Sequence, residues 1–74
     1  MADGARQRCG KRSFSQKTPC YQGELLPVVR AFGASKALAV LEVLVTRDPD
    51  VAREGHTYAH AIGVAAYDAQ PHVN

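Results

Sequence analysis

The longest apolar run in the chain, Lys36 to Thr46 with the sequence KALAVLEVLVT, must be buried by whatever this chain folds into. Ala37, Leu38, Ala39 and Leu41 favour a helix. The stretch Val40 to Val45 would also serve as a buried strand, because β-branched residues are frequent and periodicity cannot separate the two in a short apolar segment. We read a helix over 36–46, with Lys36, Glu42 and Thr46 as its narrow wet edge. It is expected to be the most buried element.

Two further helices are expected around it. Leu25, Leu26, Val28, Val29 and Phe32 recur at spacings of three and four, which predicts a helix over about 24–32. Pro27 would lie in its first turn, where a missing N–H costs little, and Gly33 would close it in the left-handed conformation. Ser35 is the expected cap of the second helix. Asp48-Pro49-Asp50 is the clearest boundary: Asp48 can cap, Pro49 suits the first helical position, and Asp50 complements the positive end of the helix dipole. A third helix is predicted over 49–67, through Val51, Tyr58, Ile62 and Val64, with Pro71 beyond its end. Gly55 and Gly63 each weaken it by about 1 kcal/mol relative to Ala, unless they serve close packing. Gly55, Ala59, Gly63 and Ala66 or Tyr67 form a shallow stripe of the kind that lets another helix approach. Its expected neighbours are Leu38, Leu41 and Val45 of the same chain, with a second chain as the alternative.

The charge is unevenly distributed. The 74 residues carry nine Lys and Arg against seven Asp and Glu. Arg6, Arg8, Lys11, Arg12 and Lys17 all fall in the first twenty positions, against Asp3 alone, and the remainder is acidic. Apart from Met1 and Phe14 this segment has no large apolar side chain, so it is expected to be a disordered basic arm that cannot offset its ordering entropy. The division is therefore an arm at 1–20, a small helical domain or a fragment of one at 21–68, and a flexible tail at 69–74. Such a chain buries only about 60% of its unfolded surface, so a partner, metal or disulfide would help it fold. It has no secretory signal pattern and no run of about twenty apolar residues that could span a membrane, which makes the cytoplasm the default compartment.

Three kinds of chemistry are available. His56 and His60 would lie one helical turn apart, with Cβ atoms about 6 Å from one another, and two imidazoles so placed can share a zinc ion. The zinc-protease pattern needs a glutamate directly after the first histidine, and Thr57 stands there instead. Further ligands would come from His72, Asp68, Cys9 or Cys20. A disulfide between Cys9 and Cys20 would add roughly 2 to 3 kcal/mol. Without an export signal, two free thiols are the expected state. The basic residues Arg8, Lys11 and Arg12 could neutralise phosphates of RNA or DNA, with Phe14 or Tyr21 stacking on bases.

The segment Asp48 to Tyr67 resembles a stretch of uncharacterised bacterial proteins bearing a Cys-His-x-x-Ala-His-x-Ile-Gly signature. The matching residues are His56, Ala59, His60, Ile62 and Gly63, and Gly55 stands in the cysteine position. The resemblance implies candidate metal ligands at the two histidines on a helix that follows an Asp-Pro boundary. It implies no nameable activity, and it suggests that the chain is truncated.

The leading expectation is thus an all-α protein of two or three short helices, non-enzymatic, acting by helix packing with itself or a partner through Gly55, Ala59 and Gly63. The alternatives are a metal-binding helical domain using His56 and His60, and a nucleic-acid-binding basic arm on a helical anchor.

Overall fold

The four-residue spacing of Leu25 and Val29 runs back beyond the apolar residues, through Tyr21 to Lys17, and the helix runs with it. The computed structural model describes residues 1–70. It contains α1 (Ala2–Cys9), α2 (Phe14–Phe32), α3 (Ala34–Arg47), α4 (Pro49–Arg53) and α5 (Gly55–Ala69). No strand occurs among the described residues. The buried positions follow helical periods: Lys17, Tyr21, Leu25 and Val29 on α2; Ala37, Val40, Leu41 and Leu44 on α3; Tyr58 and Ile62 on α5. α2, α3 and α5 pack on one another around this seam, with α1 laid across α2 and α3 and α4 closing one end.

The first twenty residues correct the expectation of a disordered arm. Ala5 and Cys9 of α1 are buried in the common core, and α1 is joined to α2 by a Cys9–Cys20 disulfide. The expectation of free thiols is overturned with it. A short polar helix such as α1 has little to hold it alone. The crosslink and the burial of Ala5 and Cys9 supply what its composition lacks.

The helix expected at 24–32 begins at Phe14, so Pro27 lies inside it, as does Pro19. Each proline removes one hydrogen bond to the carbonyl four residues earlier, those of Ser15 and Gly23. Pro19, Pro27, Ser15 and Gly23 are all exposed, so the freed carbonyls lie on the side open to water. α2 ends at Gly33, the one positive-φ residue among those described, with φ 93° and ψ 169°. This is an extended mirror-image conformation rather than the left-handed helical one expected. Gly33 alone joins α2 to α3. Its N–H donates to the Val29 carbonyl at 2.9 Å and its own carbonyl accepts from Ala37 at 3.3 Å. Gly33, not Ser35, is therefore the residue preceding α3.

Asp48 caps α4 as expected, its side chain accepting from the Asp50 N–H at 3.0 Å, with Pro49 in the first turn. The single helix expected over 49–67 is instead two. Glu54 leaves the helical region at φ −113° and ψ 16°. Its carbonyl accepts from Tyr58 at 3.1 Å and its carboxylate from the Thr57 hydroxyl at 3.2 Å, starting α5 afresh. Ala69 belongs to α5 and Gln70 follows it. The remainder of the expected tail, 71–74, lies outside the described residues.

Two stability predictions follow from these joints. Replacing both cysteines with serine is expected to cost about 3 kcal/mol, lowering the thermal midpoint by more than about 10 °C. Gly33→Ala, forced into a positive φ, is expected to cost about 1 to 3 kcal/mol in urea denaturation. A Gly33→Ala protein as stable as the parent would show that the corner does not need its glycine.

Candidate functional site

Charged residues meet inside the fold where α2 passes the junction of α3 and α4. The Lys17 ammonium donates to Asp48 Oδ1 at 3.0 Å and to Asp50 Oδ2 at 2.9 Å, while the Tyr21 hydroxyl donates to Asp48 Oδ2 at 3.0 Å. Lys17 is 9% exposed and Asp48 5%, so this is an ion pair withdrawn from water. The Tyr21 ring meets Tyr58 of α5 edge to face, with centroids 6.3 Å apart. No buried side-chain nitrogen or oxygen among the described residues lacks a partner.

These contacts push Lys17, Tyr21 and Asp48 away from neutrality. The hydrogen bond to Asp50 raises the Lys17 pKa, against burial and with help from Asp48. Burial pushes Tyr21 up to about 12, and the hydrogen bond to Asp48 adds to it. Burial alone would raise Asp48, but hydrogen bonds from Lys17, Tyr21 and the Asp50 N–H outweigh it and hold the carboxyl below its usual range. Burial also raises Tyr58. Groups that exchange protons in catalysis work best with pKa values near the working pH. This cluster has the opposite character and acts as a fixed internal clamp.

The residues singled out for function lie elsewhere. His56 and His60 are both exposed on α5, one turn apart. Cys9 and Cys20 are consumed by their disulfide and cannot serve as ligands to the pair. No group of three or more His, Cys, Asp or Glu side chains is assembled among the described residues, and His72 lies outside them. The basic trio is divided. The Arg8 guanidinium is bonded to Glu24 of α2, with Nε 2.7 Å from Oε1, and Glu24 raises its pKa. Arg12 Nε donates to the Arg8 carbonyl at 3.3 Å. Lys11 lines a different depression, about 620 Å³, with Arg6, Gln7, Arg47 and Asp3. Phe14, a candidate for base stacking, has the Arg53 guanidinium over its ring at 4.5 Å. Tyr21, the other candidate, is fully buried.

Most of the small-residue stripe is on the surface, while Ala66 packs against the core. Ala59 and Gly63 are exposed, Gly55 is half-buried, and a Cβ added at either glycine would meet nothing within 4 Å. The expected packing against Leu38, Leu41 and Val45 therefore does not occupy it. α3 is also less enclosed than its composition predicts, with Leu38 43% and Val43 39% exposed. An open groove of about 910 Å³ runs along α3, lined by Leu38, Leu41, Glu42 and Val45 and bounded by Gly55. A second cleft of about 570 Å³ lies between α2 and α5.

No family model, curated protein or solved structure matches this chain.

The clamp is hidden in the sequence because Lys17 falls in a segment whose composition predicts a disordered basic arm. The available signal was the four-residue series Lys17, Tyr21, Leu25, Val29.

Two outcomes test the clamp. Asp48→Ala strands the Lys17 charge and the Tyr21 hydroxyl, and is expected to cost about 3 kcal/mol or more in urea denaturation. The folded pKa of Asp48 lies below its unfolded one, so its contribution is present above about pH 4 and lost as pH falls through the folded value. Lys17 and Tyr21 are raised on folding. Their contribution is complete below about pH 10; that of Tyr21 is lost as pH rises through about 12, and that of Lys17 as pH rises through its own raised value. Denaturation curves across pH should show a plateau between these limits, and Tyr21→Phe should remove the tyrosinate absorbance step near pH 12.

Proposed function

We propose that this protein is a non-enzymatic helical module that acts by packing its α3 groove and the adjoining edge of α5 onto another helix, from a second copy or from a partner. The observation that carries the reading is the groove along α3, with Leu38 and Val43 exposed and Gly55 of α5 at its border, together with the exposure of the small residues Ala59 and Gly63 further along α5. A helix surface without bulky side chains allows close interaxial approach, and exposed apolar residues beside it supply the area to be buried. Glu42 in the groove gives it a polar contact that can fix orientation. The Cys9–Cys20 bond supports an oxidising compartment for this role over the cytoplasm, because such bonds persist there. No helix among the described residues is long and apolar enough to cross a membrane.

Sedimentation velocity tests the self-association form of this reading. A concentration-dependent rise in mass is expected at tens of micromolar protein, as is usual for a modest interface. Leu38→Glu with Val43→Glu should abolish it while leaving the helical circular dichroism unchanged, since both side chains are already exposed. The reading for a second copy fails if the parent protein stays monomeric at about 1 mM or if the double variant associates equally well.

A further inference from the structure

The cleft between α2 and α5 differs from the α3 groove in being lined by charges of both signs, Arg30 and Asp68, together with apolar side chains. Leu26 and Arg30 of α2 form one wall; His60, Ala61, Val64, Ala65, Asp68 and Ala69 of α5 form the other. Arg30 lies in the last turn of α2 and Asp68 near the end of α5, and neither has a side-chain partner among the described residues. The cleft volume, about 570 Å³, lies in the range of small-molecule sites.

Asp68 is the informative residue. The C-terminus of a helix is the negative pole of its dipole, where cations are favoured and an anion costs stability. α5 carries no basic residue in its last turn to offset Asp68. Residues that break a local rule without a visible compensation are where function is to be sought. An ammonium group placed there would meet the carboxylate and the dipole together. Arg30, lining the same cleft, offers a planar guanidinium whose forked donors match a carboxylate. Leu26, Ala61, Val64 and Ala65 then provide an apolar surface, extending toward His60 about 12 Å from Asp68 along the helix axis.

We propose that the α2–α5 cleft binds a free α-amino acid with a branched or aromatic side chain. Its carboxylate lies on Arg30, its ammonium on Asp68, and its side chain along Leu26, Val64 and Ala65. The zwitterion meets both charges at once. A fatty acid would leave Asp68 facing a carboxylate, and a simple amine would leave Arg30 facing an ammonium.

Two-dimensional amide NMR of the full chain, titrated with L-leucine and L-phenylalanine, tests this directly. Saturable shifts confined to α2 and α5 are expected, with a dissociation constant of about 1 mM or tighter, in keeping with so few ligand atoms. 4-Methylpentanoate and 3-phenylpropionate, which lack the ammonium, should bind at least tenfold more weakly, as should isopentylamine and phenethylamine, which lack the carboxylate. Arg30→Ala should weaken the amino acids at least tenfold. Asp68→Asn should weaken the amino acids and leave the two acids unchanged or tighter. Both residues are exposed, and circular dichroism of each variant verifies that it is folded. The proposal is overturned if neither amino acid shifts the spectrum at 10-fold its expected dissociation constant, about 10 mM, if the acids or amines bind as tightly as the zwitterions, or if the shifts follow protein rather than ligand concentration, which would place a second copy in the cleft.

Discussion

Lys17, Asp48 and Tyr21 tie together segments that the chain keeps far apart. The lysine and tyrosine occupy successive turns of α2, and the aspartate is the residue on which α3 ends and α4 begins. One carboxylate thus stops a helix, starts another and holds both to a third. Burying two charges is costly, and their attraction offsets that cost only when the remaining polar atoms are satisfied. Here the Tyr21 hydroxyl, the Asp50 N–H and the Asp50 carboxylate complete the set. The arrangement favours one register of α2 against the α3–α4 junction, because a slip of one residue would leave a charge without its partner.

The rest of the architecture follows from that fixed point. With α2 anchored near its start and joined to α3 by Gly33 alone, the two helices have little freedom to separate. α5 completes the core through Tyr58 and Ile62, and α1 is added at the opposite edge through the disulfide. The interior is consumed by these contacts, so other molecules meet the fold at its surface, where the described residues form the groove along α3, the cleft between α2 and α5 and the charged depression beside Lys11.

The all-helical class was legible in the sequence, as was the Asp48-Pro49-Asp50 boundary, because both rest on local chemistry: helix formers with helical spacing in the first case, a capping carboxylate before proline in the second. The ordered N-terminus was not legible. Its order comes from a covalent link and a buried ion pair between residues distant in sequence, and composition sees neither. The exposure of Leu38 and Val43 was hidden for a related reason. A run that is apolar all round predicts burial all round, but a chain with so few helices has only enough neighbours to cover one side of α3. The position of His56 and His60 on one helix was foreseeable from their spacing, whereas the pairing of Arg8 with Glu24 required α1 to be folded against α2.

The exposed turn between α1 and α2 holds Lys11 and Arg12, and trypsin-like proteases cut after either residue type. Cys9 precedes that turn and Cys20 follows it, already within α2. A cut in the turn would therefore break the backbone without dividing the molecule: α1 would remain covalently attached in its place, and the chain would part into two pieces only under reducing conditions. A cut at this basic turn is thus one that the disulfide lets the fold outlast.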